Sequence, residues 1–169
     1  MNFEHCYIKN MLLAQSINEV RTEMRSSQKC VAIYLNRKIP ICIGVNKCKT
    51  HPILLKFKYD TYKYFSIENF SRTTKKNNVY PIHAELDGYI KLLNSENDFD
   101  TLFIYRGNNC DLPSEPCHVC SKWLTRIDKL TICFVNINGE FEQVNSSELI
   151  GHYRTKNVRY TSYHHYNEE

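Results

Sequence analysis

Two short motifs constrain this chain more than any other feature of its sequence. The first is His-Ala-Glu at positions 83–85, and the second is Pro-Cys-His-Val-Cys at positions 116–120, with 30 residues between them. Cysteines three apart in the first turn of a helix lie on one face and can bind one ion, and proline is favoured at a helix start. The motifs therefore predict two helix starts and a metal site with His83, Cys117 and Cys120 as ligands.

The ligand number and a nearby carboxylate favour a catalytic site over a closed one. Three protein ligands leave the fourth tetrahedral position of Zn²⁺ for water, whose pKa the metal lowers toward 7. Glu85 follows His83 by two residues, so we expect it to reach that water and move its protons without binding the metal. Three alternatives stay open: His118 as a ligand, Cys110 as the fourth ligand of a closed site, and a purely structural zinc.

The length and composition are those of one soluble globular domain. With 169 residues, of which 42% are hydrophobic, the chain can form one core, and we expect a single domain over 1–169. The apolar runs are too short to span a membrane and the N-terminus does not resemble a signal peptide, so we expect a cytoplasmic protein with no membrane partner. The eight cysteines are expected to be reduced, since disulfide frameworks are typical of short secreted chains.

Periodicity and turn residues predict the first half of the fold. Apolar residues at spacings of three and four predict a helix over 11–25, with a stripe formed by Leu13, Ile17, Val20 and Met24. Two β-rich runs predict a hairpin from strands 30–35 and 39–46. Pro40 favours an edge position for the second strand, because proline cannot donate a hydrogen bond to a neighbouring strand.

The second half of the chain alternates in the same way. We expect a helix over 82–93, a strand over 101–106, a helix over 116–126 and strands over 130–136 and 140–144. The apolar face of the first of these helices is expected to consist of Leu86, Tyr89, Ile90 and Leu93. Asn138-Gly139 predicts a hairpin turn in which both residues have positive φ, so the last two strands should be antiparallel. A short helix is expected from Ser146 or Ser147.

Positions 47–80 form a long insert that combines basic and aromatic residues. This pattern would suit a single-stranded nucleic acid, since lysine and arginine pair with phosphates and aromatic rings stack on bases. The other interpretation is one or two short helices with aromatic residues facing the core and lysines facing solvent. A Tyr- and His-rich tail over 152–169 ends the chain.

The paired motifs, in this order of elements, resemble the cytidine and deoxycytidylate deaminase superfamily of zinc-dependent enzymes. The run Lys49-Thr50-His51-Pro52 is similar to small members from viruses and phages. The resemblance implies an α/β fold of three layers, α/β/α, with a mixed five-stranded sheet. It also implies one Zn²⁺ per chain, a proton-transfer role for Glu85, and substrate contacts from Asn46 and Ala84. Asn46 could otherwise simply end a strand at a turn.

The resemblance implies hydrolytic deamination of a cytosine-based nucleoside or nucleotide, of the cytidine, deoxycytidine or dCMP type, to the uracil form with release of ammonia. An antiparallel last strand pair is similar to the free-nucleoside branch, since a parallel pair needs a crossover of a dozen or more residues. Ser114-Glu115 before the second motif is similar to both the tRNA-adenosine and the cytosine types. Two alternatives stay open: deamination of cytosine or adenosine within single-stranded DNA or RNA, and a catalytically silent binding module. Superfamily members are often homo-oligomers.

Overall fold

A computed structural model describes residues 3–47, 82–93, 95–108, 110 and 112–149. Apart from Lys47, the insert 47–80 lies outside these residues, as does the tail 152–169, so the expectations for both segments and for one domain over 1–169 stay predictions. In chain order the elements are α1 (Phe3–Glu19), β1 (Cys30–Asn36), β2 (Ile39–Val45), α2 (Ala84–Leu93), β3 (Thr101–Arg106), α3 (His118–Leu124), β4 (Thr131–Val135) and β5 (Phe141–Asn145), with 3₁₀ turns at Ser26–Gln28 and Ser146–Glu148.

The strands form one mixed five-stranded sheet in the order β2-β1-β3-β4-β5. The β1–β2, β1–β3 and β4–β5 pairs are antiparallel, whereas β3 and β4 are parallel. The predicted mixed sheet with an antiparallel last pair is therefore confirmed. No helix within the described ranges has the length and apolar character needed to cross a bilayer.

The helices cover the two faces of the sheet, which gives the predicted three layers. On one face α1 packs on alternate residues of the central strands, including Val31, Ile33 and Phe103. On the opposite face, Ala32 and Tyr34 belong to a second cluster with residues of α2 and α3. The five inner residues of β1 are all buried, as expected for a central strand covered on both sides.

The edge position predicted from Pro40 is confirmed, because β2 is an outer strand of the sheet. Pro40 lies opposite Leu35, and the register slips between Tyr34 and Leu35 next to it. The turn that joins β1 to β2 has positive φ at both Arg37 (47°) and Lys38 (71°). These are the backbone angles of the tight hairpin turns that match strand twist.

The prediction for α1 is wrong at both ends, since the helix runs from residue 3 to residue 19 rather than over 11–25. Its buried positions recur every four residues at Cys6, Asn10, Ala14 and Asn18. Two of these residues are asparagines, so an apolar pattern in the sequence does not reveal the buried stripe. Asn18 Nδ2, for example, donates to a backbone carbonyl 2.7 Å away. Val20, predicted to be in the stripe, lies after the helix and is 79% exposed.

The other predicted elements are confirmed, with shorter helices. On the predicted face of α2, Leu86, Tyr89 and Ile90 pack on the core, and Leu93 does not. Helix α2 begins at Ala84 and α3 covers residues 118–124, because the first residues of each predicted helix are extended. On α2 the buried leucine is Leu92 (5% exposed), whereas Leu93 is 61% exposed. The predicted short helix after β5 is the 3₁₀ turn that begins at Ser146.

The turn between β4 and β5 differs in detail from its prediction. Of its two central residues only Gly139 has a positive φ, at 83°. The turn is held instead by the side chain of Asn136, whose Oδ1 accepts from the backbone N–H groups of Asn138 (2.8 Å) and Glu140 (3.0 Å). An asparagine that bonds its own following backbone stabilises a turn without positive φ at both positions.

Helix α2 lies against β2 at Gly44 with no side chain between the two backbones. A Cβ atom on Gly44 of β2 would lie 2.0 Å from the carbonyl oxygen of Ala84 and 2.4 Å from the backbone nitrogen of Gly88. Gly88 in turn faces the ring of Tyr34, which its own Cβ would approach to 2.5 Å. The hydroxyl of Tyr34 donates to the carbonyl of Glu85 at 2.6 Å. The first turn of α2 is therefore fixed by backbone contact.

We predict that Gly44→Ala destabilises the protein by about 3 kcal/mol or more, because the atoms it meets are backbone atoms that cannot rotate away. Gly139→Ala is the control: it has no atom within 4 Å of the added carbon and should cost about 1 kcal/mol, from its positive φ alone. Urea denaturation measures both changes. Equal losses in the two variants would show that the contact between α2 and β2 yields easily.

Candidate metal centre

The three predicted ligands converge at the starts of α2 and α3. His83 directly precedes α2, Cys117 is the cap residue of α3, and Cys120 lies in its first turn. The Nδ1 atom of His83 is 3.3 Å from the Sγ atoms of both cysteines. The three candidate ligand atoms all lie within 4.8 Å of one another. The described residues therefore contain a group that can hold a metal ion.

The geometry of this group fits a tetrahedral zinc ion. Zinc binds cysteine sulfur at about 2.3 Å and histidine nitrogen at about 2.0 Å, so neighbouring ligand atoms should be about 3.5–3.8 Å apart. The distances of 3.3 Å from His83 Nδ1 to the sulfur atoms need to widen by only a few tenths of an ångström. Thiolate and imidazole donors also suit zinc, whereas magnesium and calcium prefer oxygen donors.

The ligands influence one another's protonation. A hydrogen bond from the Cys120 thiol holds the pKa of Cys117 well below its ordinary value; burial opposes this, and the His83 ring reinforces it. Burial alone would lower the pKa of His83, but the charge and hydrogen bond of the Cys117 thiolate raise it to about 9. At neutral pH Cys117 is therefore a thiolate, while His83 and Cys120 carry protons that metal binding must release.

Glu85 adjoins this group from the first turn of α2. The residue is 5% exposed, and burial raises the pKa of its carboxyl group, while the nearby charge of His83 and a hydrogen bond with Cys120 oppose the rise. Its backbone carbonyl accepts the hydrogen bond from Tyr34. A buried carboxyl group beside the candidate ligands, on a fixed backbone, is a group that can exchange protons.

Asn46 and Ala84 are the two predicted substrate contacts, and Ala84 adjoins His83 in the chain. The Oδ1 atom of Asn46 accepts from the backbone N–H of Cys30 at 2.7 Å and from the Arg21 guanidinium at 2.9 Å, and its Nδ2 donates to the carbonyl of Gln28. Ala84 is fully buried at the start of α2. The structure thus explains a structural role for each, and their contacts with substrate stay predictions.

Of the two alternative ligands, Cys110 lies outside the candidate metal group. Cys110 is buried in the cluster beneath α1, on the opposite face of the sheet, where its Sγ is 3.8 Å from the carbonyl of Met11. It therefore cannot close a four-ligand site with His83, Cys117 and Cys120. The side chain of His118 lies outside the part of the chain that the structure describes.

Ser114 is a supporting residue whose role the sequence analysis missed. It is 4% exposed, and its hydroxyl donates to the carbonyl of Ile104 at 2.7 Å and accepts from the N–H of Val135 at 3.0 Å. Its own N–H donates to the carbonyl of Val135 at 2.8 Å. Ser114 thus connects the ends of β3 and β4 and fixes the segment that leads to Cys117. Both partners are distant in sequence, so no local pattern marks this role.

The fold is similar to that of a solved deaminase. No family model and no curated protein matches the sequence. The 1.6 Å crystal structure of a cytidine deaminase from Burkholderia pseudomallei has a TM-score of 0.54 and 15% identity, over 91% of this chain and 100% of that chain. A dCMP deaminase from the cyanophage S-TIM5, in apo form, has a TM-score of 0.47 and 18% identity, over 80% of this chain and 86% of that chain.

This protein has a cytidine-deaminase-like fold. The resemblance to the cytidine and deoxycytidylate deaminase superfamily, which the two motifs indicate, is confirmed at the level of that fold. At 15% identity the similarity carries no residue roles, so any activity must be argued from the side chains of this chain.

We predict that Cys117→Ser and Cys120→Ser each weaken zinc binding by about 100-fold or more, because even residues that only support a ligand contribute 10- to 100-fold. Cys110→Ser is the matched control and should keep the zinc affinity of the parent protein. Competition with a chromophoric chelator measures all three affinities. A comparable loss in Cys110→Ser would show that this thiol belongs to the metal site after all.

Proposed function

We propose that this protein is a zinc-dependent hydrolase that converts a cytosine-based nucleoside or nucleotide to its uracil form and releases ammonia. The observation that carries this proposal is the convergence of His83, Cys117 and Cys120 next to the buried carboxyl group of Glu85. A purely structural zinc site would need a fourth ligand and would have no use for a costly buried carboxyl group.

One Zn²⁺ per chain is the proposed cofactor, with His83 and the two cysteines as its ligands. When bound, zinc supplies a Lewis acid that lowers the pKa of water toward neutrality. The protein supplies the rest: Tyr34 and the glycine contacts hold the first turn of α2, and Ser114 holds the approach to Cys117. The reacting groups are therefore positioned before substrate arrives, which is the condition for efficient catalysis.

Glu85 is the proposed proton carrier. Its carboxylate takes a proton from the attacking water and delivers it to the ring nitrogen next to the amine-bearing carbon. The oxygen of the water forms the new bond to that carbon. Glu85 then passes the remaining water proton to the amino group, and the carbon–nitrogen bond breaks to give ammonia. Water and the cytosine base thus yield uracil and ammonia without any further reactant.

Asn46 and Ala84 are the proposed substrate contacts. Ala84 lies between His83 and Glu85 in the chain. Asn46 accepts a hydrogen bond from the backbone N–H of Cys30. Burial raises the pKa of the Cys30 thiol most, and the charges of Glu85 and Cys117 raise it further, so this thiol is close to both residues. Both residues therefore lie at the same end of the sheet as the metal ligands, where a substrate would bind.

A substrate panel tests the proposal. Zinc-loaded protein is incubated with cytidine, deoxycytidine, their monophosphates and a single-stranded oligonucleotide, and ammonia and uracil are measured. Turnover of a free nucleoside or nucleotide supports the proposal. Turnover of the oligonucleotide alone would assign the protein to polynucleotide deamination, and no turnover by protein with a full complement of zinc would indicate a binding module.

We predict that Glu85→Gln lowers kcat on the best substrate by about 10²- to 10⁴-fold, because the amide cannot carry a proton. The zinc content should stay at one ion per chain, since Glu85 is not a ligand. Glu96→Gln, in an exposed loop, is the control and should behave as the parent protein. Full activity in Glu85→Gln would contradict the proposed mechanism.

A further inference from the structure

A second buried carboxylate on α2, that of Asp87, lies two residues after the end of the first motif. Asp87 is 1% exposed, and its Oδ1 accepts from Lys47 Nζ at 2.6 Å. Its Oδ2 lies 2.8 Å from Lys91 Nζ and 3.0 Å from the backbone N–H of Val45. A carboxylate so completely removed from water needs several such partners to remain charged. No role in the proposed chemistry accounts for it.

Asp87 and its partner Lys47 form a closed cycle of contacts that includes His83. Lys47 and Ile82 form an antiparallel bridge, with hydrogen bonds of 2.9 and 3.0 Å between their backbones. Ile82 is joined to His83 through the chain, and the carbonyl of His83 accepts from the N–H of Asp87 at 3.0 Å. The side chain of Asp87 closes the cycle on Lys47. The Asp87 carboxylate is therefore linked to His83 by two routes, through Lys47 and Ile82 on one side and through the backbone of α2 on the other.

His83 needs such a support because it lies outside the helix. Helix α2 begins at Ala84, so the backbone of His83 has only its carbonyl in the helical pattern. The direction of its imidazole ring therefore depends on where Ile82 and Lys47 are held. A displacement of about 1 Å at a reacting centre can lower a rate by about 100-fold.

We propose that Asp87, through its ion pair with Lys47, is a positioning residue that holds His83 in place for metal binding. The proposal rests on the proposed function in that it takes the metal centre as the working site. Asp87 does not touch the metal ligands' side-chain atoms, and it acts through the backbone on either side of His83.

The second lysine provides an internal comparison. Lys91 binds the same carboxylate, but it lies one turn further along α2 and its side chain is 42% exposed. It also donates to the carbonyl of Ile43 at 2.7 Å. Its contacts join the last turn of α2 to β2 and do not include Ile82 or His83. Removal of either lysine leaves Asp87 with one cation. The two changes differ because only the loss of Lys47 opens the cycle of contacts that includes His83.

The test compares Lys47→Met, Lys91→Met and Asp87→Asn in the full chain. Cobalt(II) binding is followed by its visible absorption spectrum, zinc affinity by chelator competition, and the melting temperature is measured without metal. We expect Lys47→Met and Asp87→Asn to lower zinc affinity by about tenfold, the low end for residues that support a metal ligand, and to shift the cobalt spectrum. With substrate, kcat should fall and KM should stay unchanged.

Lys91→Met should keep the parent cobalt spectrum and metal affinity even where its melting temperature falls, and Lys47→Arg should restore the properties lost in Lys47→Met. Equal metal affinities in Lys47→Met and Lys91→Met would overturn the proposal. So would losses that simply follow the melting temperature. If Asp87→Asn does not fold, the two lysine variants still decide the matter. Failure of the parent protein to bind cobalt or zinc would overturn the proposed function as well, whereas parent-like binding in every variant overturns only the role of Asp87.

Discussion

The close approach of α2 to β2 is the contact on which the candidate site depends. Gly44 and Gly88 let two backbones meet where any side chain would separate them. This contact sets the height of α2 above the sheet, and the hydrogen bond from Tyr34 to Glu85 sets its rotation. Since His83 and Glu85 both lie at this end of α2, their positions follow from the backbone packing.

The cysteine half of the site has a different kind of support. Strands β3 and β4 pair only over their first three residues, and beyond that point Ser114 bonds to both strands. Its neighbours in the chain lead directly to the cysteine motif. The two halves of the metal group thus reach the same place by separate routes, one through a helix packed on glycine and one through a serine between diverging strands.

Local patterns predicted much of this structure because they depend on short-range geometry. The spacing of Cys117 and Cys120 follows from one helical turn, and the strands follow from apolar runs buried on both faces. The same reasoning was wrong for α1, where Asn10 and Asn18 are buried among apolar residues and each donates to a backbone carbonyl. Asp87 and Ser114 were missed for a related reason, since their partners lie elsewhere in the chain and only the folded protein brings them together.

The bridge between Lys47 and Ile82 has a consequence for how this protein can vary. Positions 47 and 82 are neighbours in the fold, so the two ends of the segment between them are held together. The entropy of closing such a segment depends weakly on its length, at about 0.6 kcal/mol for each doubling. Segments of very different size and composition can therefore join positions 47 and 82 while the histidine beside the bridge keeps its place.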